Sequence, residues 1–239
     1  MKKAALFISL LAAILSAVSC SRSKSGNITV PDTTKASVIE EDTADVYETE
    51  SGEEEKELLD PTEGTAFKKG KIEGNVYTSE YAGIKFTLRD GVSFMKQEDV
   101  EKMVNQAVKM TSGDDRVRAL SKITEAEIYD IRTSTMLDVS YYNLNMLAPE
   151  NMDMTEEDFF RQQIMPFAEN MGIEVTEPEE VYLGGRKFVM LKMGDEKKTA
   201  PAEYLYVSRI DNDFIIFITT CLGILGSREE FENSFEAFG

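Results

Sequence analysis

The chain has 239 residues, a formal net charge of −18 and no histidine. The acidity argues against nucleic acid as a partner, because phosphate binding needs clustered Lys and Arg, and against electrostatic adhesion to an anionic membrane. The missing histidine excludes a Ser-His-Asp or Cys-His nucleophile and a histidine-bearing zinc site, and two cysteines, Cys20 and Cys221, cannot build a zinc cage.

The first element is a targeting segment. Lys2 and Lys3 precede "AALFISLLAAILSAV" (4–18), a 15-residue uncharged apolar run. That length suits a signal-peptide core better than a membrane span. "AVSC" (17–20) resembles the bacterial lipobox, with Ala17 standing where the pattern prefers Leu. The resemblance implies cleavage after residue 19 and a diacylglyceryl group on Cys20. It implies a protein held on the outer face of the cytoplasmic membrane. An anchor of that kind is physically sufficient, since each buried methylene contributes about 0.8 kcal/mol and two acyl chains hold stably. An ordinary secreted protein with a cysteine near the cut, and an uncleaved N-terminal helix, are the competing readings.

After Cys20 the chain turns polar. The stretch 40–63 carries twelve acidic residues and one basic residue, Lys56. Such a segment buries too little surface to offset its ordering entropy, so 20–71 reads as a disordered acidic tether. A flexible tether of that size has an r.m.s. span of about 40 Å. It has no register of calcium ligands. The folded domain is expected at 72–239.

Within the domain, "NVYTSEYAGIKFTLRDG" (75–91) reads as a hairpin, because Ile84, Phe86 and Leu88 alternate with Lys85, Thr87 and Arg89. A helix is expected over 97–113, with Val100, Met103, Val104, Ala107 and Val108 on one face. Two strands follow at 126–134 and 137–146. A second helix spans 153–172, opened by Thr155 with Asp158, kinked at Pro166 and closed by Gly172. Four strands come next, at 179–185, 186–194, 202–210 and 213–223. Asp211 and Asn212 turn the last hairpin. Ser227 with Glu230 is a capping box for a final helix that carries Phe231, Phe235 and Phe238 on one side.

The stretch "FIIFITTCL" (214–222) decides the architecture. Phe214, Ile216 and Ile218 fall on one face of the strand, Ile215 and Phe217 on the other. A strand apolar on both faces must be covered twice. Three amphipathic helices are available, and the consecutive strands are joined too tightly for parallel crossovers. The expected fold is therefore α/β (α+β), a three-layer α/β/α sandwich around a mostly antiparallel sheet.

"NVYTSEYAGIKFTLRDGVSF" (75–94) and "YLYVSRIDNDFIIFITT" with "REEFENSFEAF" (204–238) resemble the PsbP-like lipoprotein domains of Gram-positive bacteria. Arg89 and Val92 stand where that family usually has Pro and Trp. The resemblance implies the α/β/α sandwich. It implies no catalytic residue.

Candidate chemistry is sparse. Cys221 lies in the most apolar strand, where a thiol without a histidine beside it is inert. "LGG" (183–185) lacks the spacing of a phosphate cradle. Tyr141, Tyr142, Tyr204 and Tyr206 are candidates for lining a surface groove for a peptide or glycan, or else pack as sheet residues. No cofactor, metal or catalytic set is expected. The expectation is a non-enzymatic binding module, anchored to the membrane through lipidated Cys20, whose partner is an envelope protein or wall polymer. The alternatives are a small solute-binding accessory subunit of a transporter and a hydrolase using carboxylates alone.

Overall fold

The computed structural model describes residues 60–150, 153–194 and 202–239. The signal peptide expected at 1–19, Cys20, and the tether up to residue 59 lie outside the described residues. Strands β4 (Lys122–Asp130), β5 (Thr135–Asn143), β6 (Glu179–Leu183), β7 (Arg186–Met193), β8 (Glu203–Arg209) and β9 (Phe214–Cys221) form one sheet. Its order is β4-β5-β9-β8-β7-β6, and every neighbouring pair is antiparallel. The two-faced apolar strand is β9. It lies inside the sheet, and all eight of its residues are buried. This is the mixed, mainly antiparallel α+β architecture expected from the two-sided pattern.

Two apolar clusters sit on opposite faces of this sheet. On one face, Ile215 and Phe217 of β9 and Leu205 and Val207 of β8 pack under Phe159, Phe160, Ile164 and Ala168. These four belong to a helical stretch made of α4 (Glu156–Phe159), a wide π turn (Phe160–Ile164) and α5 (Met165–Met171). The expected kink at Pro166 takes this form because proline has no N–H to give the preceding turn. The Met165 amide reaches instead to the Phe160 carbonyl. Thr155 and Asp158 make the capping box at the start, and Gly172 ends the stretch in the left-handed region at φ 63°.

On the other face, Phe214, Ile216 and Ile218 pack with Tyr77, Ile84, Phe86, Phe231 and Phe235. The covering layer there is a small sheet of β1 (Lys71–Glu73), β2 (Val76–Ser79), β3 (Ile84–Thr87) and β10 (Phe235–Ala237), with a short helix, α6 (Arg228–Glu232). The hairpin at 75–91 is β2–β3, in register from Val76 opposite Thr87 to Ser79 opposite Ile84. The Ser227–Glu230 capping box is present. The final helix, however, ends at Glu232, and Phe235 lies in strand rather than on a helix face, paired with Phe86 of β3 and stacked on its ring at 4.7 Å. Pairing with β3 offers Phe235 a buried partner that an extended helix does not, so tertiary packing overrides the local pattern.

The first long helix, α1 (Gln97–Met110), is followed by α2 (Gly113–Ser121), a segment for which the sequence pattern indicates no element. Its apolar residues Val117, Ala119 and Leu120 are too few to form a legible stripe. Gly113, the expected helix stop, sits at φ 57° and turns the chain into α2. Both helices contact β4, on the face of the sheet that also carries α4 and α5, and after β5 a single turn, α3 (Leu144–Leu147), lies against α2. The packed body begins earlier than residue 72. Residues 60–71, assigned to the tether by their neighbours' acidity, hold fixed contacts through Phe67 and Gly70.

Candidate functional site

The segment leading into β1 is a strap that turns at Asp60 and is pinned to the body at three points, Pro61, Phe67 and Gly70. Asp60 accepts hydrogen bonds from the Thr62 amide at 2.8 Å and its hydroxyl at 2.7 Å, which turns the chain. The Asn143 side-chain amide donates to the Pro61 carbonyl at 2.7 Å. The Phe67 ring lies 5.3 Å from Tyr81, 5.2 Å from Tyr141 and 5.2 Å from Phe214. The Gly70 amide donates to Glu125 Oε1 at 2.7 Å, and Tyr77 donates to the other oxygen of the same carboxylate at 2.5 Å. Burial raises the Glu125 pKa against the opposing pull of those two donors.

A β-bulge makes this possible. The β4–β5 register shifts between Thr124 and Ala126, leaving Glu125 as the extra residue. Glu125 thereby reaches Tyr77, on the face of the small sheet, while Glu127 returns to the helix-covered face opposite Asp138.

Between strap and α1 lies an open groove of about 650 Å³. Pro61, Phe67, Val100, Val104 and Ile123 give it apolar walls, and Asp60, Lys69 and Glu101 supply charge. The apolar stripe expected on the first helix therefore does two things. Val100 and Val108 are buried, while Val104 lines open space.

Beneath α1 and α2 the groove adjoins a smaller chamber of about 70 Å³, with which it shares Val104, Lys122 and Thr124. Alternate residues of β4 and β5 form its floor: Lys122, Thr124 and Glu127 on one strand, Asp138 and Tyr142 on the other. Lys122 Nζ donates to Asp138 Oδ2 at 2.8 Å, and the Ser140 hydroxyl donates to Asp138 Oδ1. Burial works against the Lys122 ammonium, yet Asp138, Tyr142 and Glu127 hold its pKa above the ordinary lysine value. Glu127 is 8% exposed. Burial first, and the Asp138 carboxylate second, push its pKa up to about 7 against the pull of Lys122. Tyr142 is pushed up to about 12 by burial. Its hydroxyl and Arg118 Nη1 are hidden from solvent and find no hydrogen-bond partner among the described residues.

No family model matches the chain, and no curated protein matches it. One similar solved structure is the solution structure of cyanobacterial PsbP (CyanoP) from Synechocystis sp. PCC 6803. The likeness covers 73% of this chain and 98% of that one, at 14% identity and a TM-score of 0.38.

The four tyrosines singled out by sequence do not form a surface groove. Tyr141 and Tyr206 are fully buried, Tyr142 is 1% exposed and Tyr204 6%. They also divide between the two faces of the sheet: Tyr142 lies on the helix side, the other three on the side of the small sheet. Tyr141 bonds Ser79 at 2.8 Å, and Tyr206 donates to Glu232 at 3.2 Å. Their rings are core because β5 and β8 are interior strands covered on both sides. Only Tyr142 reaches the chamber. Cys221 is buried, and desolvation with the nearby Glu203 carboxylate pushes its pKa up to about 12. That is an inert thiol.

Sequence reasoning passed over Lys122, Glu127, Asp138 and Arg118. One signal was present. "LDVSYYN" places Asp138, Ser140 and Tyr142 at alternate positions of a strand, a polar row facing a helix rather than water. Among the described residues, no group of three or more His, Cys, Asp or Glu side chains is placed to hold a metal.

Proposed function

We propose that this chain is a lipid-anchored protein of the cell envelope, attached through Cys20, whose PsbP-like body is a non-enzymatic ligand-binding module. The "AVSC" motif behind a short apolar core supports the anchor. No helix among the described residues is long and apolar enough to cross a membrane. The observation that carries the binding role is the groove between strap and α1, open at about 650 Å³ and leading to buried polar groups. Concave sites with apolar walls and a few convergent polar groups are the usual form of small-ligand sites.

The test has two arms. Intact cells labelled with palmitate should carry the label on the wild-type chain and lose it in Cys20→Ser, which should also leave the membrane fraction. A photo-crosslinking residue at Asn105, in the groove wall, should capture a defined species, and the same residue at Lys187, outside it, should not. An unlabelled wild-type chain refutes the anchor, and equal capture at both positions refutes the groove.

A second reading, a hydrolase using carboxylates alone, draws on Glu127 and Asp138, which are cross-strand partners. A carboxyl whose pKa is pushed up to about 7, as that of Glu127 is, suits a general acid. The chamber holds only about 70 Å³, however, which is room for about two waters. A glycosidic bond does not fit between them, so binding is the preferred reading.

A further inference from the structure

We propose that the chamber beneath α1 and α2 receives the carboxylate end of a small organic acid whose apolar body lies in the adjoining groove. This rests on the reading of the groove as a ligand site and names the chemistry of what enters it. The argument begins from hydrogen-bond capacity. Both Asp138 oxygens are engaged, one by Lys122 and one by Ser140. Ser140, its one hydrogen given to Asp138, accepts from the Thr124 hydroxyl at 3.3 Å. The buried chamber atoms left without a partner among the described residues are Arg118 Nη1, which only donates, and the Tyr142 hydroxyl, which has a hydrogen to give. Lys122 adds a third donor, since an ammonium has three hydrogens and Asp138 takes one. Buried polar groups in native proteins are nearly always paired. With Glu127 protonated below about pH 7, and so also presenting an O–H, these donors call for a group that only accepts.

A carboxylate is that group. It has two oxygens, accepts from several donors at once and forms its strongest bonds with guanidinium and ammonium. Its three heavy atoms suit a chamber of about 70 Å³. A cation would be repelled by Arg118 and Lys122, and of the two carboxyls in the lining Asp138 is already engaged by Lys122 and Ser140 while Glu127 is neutral below about pH 7. Beyond the chamber, the shared wall at Val104 continues into Val100, Ile123, Pro61 and Phe67. Those side chains suit a hydrocarbon body.

Charge sets a pH dependence. Lys122 shares β4 with Glu127, Asp138 and Tyr142 face it from β5, and Arg118 faces the chamber from α2. The lining from α1 is Met103, Val104, Ala107 and Val108, none of which titrates. With Glu127 protonated, the chamber carries two cations against one anion, and Glu127 offers an O–H. Ionised above about pH 7, Glu127 repels the incoming carboxylate. Binding is therefore coupled to proton retention at Glu127.

The experiment is calorimetric titration of the full chain in detergent with butyrate, hexanoate and hexanol, at pH 6 and pH 8 in buffers free of carboxylate. Hexanoate should bind more tightly than butyrate by about fourfold per added methylene. Hexanol, with the same chain and no carboxylate, should bind at least about tenfold more weakly than hexanoate. Raising the pH from 6 to 8 should weaken hexanoate by about tenfold, and Glu127→Gln should remove that dependence. Tyr142→Phe deletes an unpartnered hydroxyl, so the fold should persist. It should weaken both acids by the same factor. Asn105→Trp obstructs the groove and should erase the difference between butyrate and hexanoate alone. Absence of acid binding, or hexanol binding as well as hexanoate, overturns the proposal even if the groove captures something else at Asn105. Equal affinity of butyrate and hexanoate in the wild type overturns the groove as the seat of the chain and leaves the chamber standing.

Discussion

Replacing Glu127 by glutamine should stabilise the protein strongly at pH 8 and by only about a quarter as much at pH 5. The carboxyl lies under α1 and α2 opposite Asp138, with 8% exposure. Burial and Asp138 displace its pKa from 4.5 to about 7. A raised carboxyl pKa means that the folded state holds its proton more tightly than the unfolded chain. The resulting stability is complete below about pH 4.5 and is lost as pH rises through 7. At about 1.4 kcal/mol per unit, the loss between those limits is about 3 kcal/mol. Glutamine stays neutral, so the variant should escape that loss and exceed the wild type at pH 8 by about 2 to 3 kcal/mol. Glu203, pushed up to about 8 by desolvation, loses stability in the same direction but is common to both proteins and cancels in the difference. Urea unfolding at intervals from pH 5 to pH 8, followed by far-UV circular dichroism and tyrosine emission, gives the two curves. The chain has nine tyrosines and no tryptophan to mask them. A variant whose stability falls with pH as steeply as the wild type's would refute the placement of a desolvated carboxyl at this position.

Gly70→Ala should lower stability by about 2 kcal/mol and speed amide exchange at residue 70, because a Cβ there would meet Glu125 Oε2 and Tyr77 Cε2 at 2.7 Å and the Thr78 carbonyl at 2.8 Å. A melting temperature equal to the wild type's would show that the strap is not pinned. Thr155→Ala and Ser227→Ala should each cost about 1 kcal/mol by removing a capping box, read as a shift in the urea midpoint at constant slope.

Much of the fold is legible in the sequence where a signal is local. The capping residues Thr155 and Ser227, the β2–β3 hairpin and the two-faced strand β9 all declare themselves through spacings within a few residues. The apolar stripe of α1 does so as well, and it marks one wall of the groove. The site itself is less legible because it joins distant chain. Glu125 meets Gly70, which is 55 residues away, and Asn143 meets Pro61 across 82. The tyrosines of β5 and β8 look amphipathic in a single strand. Their burial depends on strands and helices covering them from both sides.

The sequence by itself determined which strand must lie inside the sheet, since Ile215, Ile216, Phe217 and Ile218 leave no face for water. It also determined where α4 and α6 begin, because Thr155 and Ser227 carry the cap chemistry themselves. Tertiary structure alone decided where the body starts, how the β4 bulge divides Glu125 from Glu127, and that Lys122, Asp138, Tyr142 and Arg118 surround one chamber. Strand register brings these groups together, and register is set by pairing between segments that no local period connects.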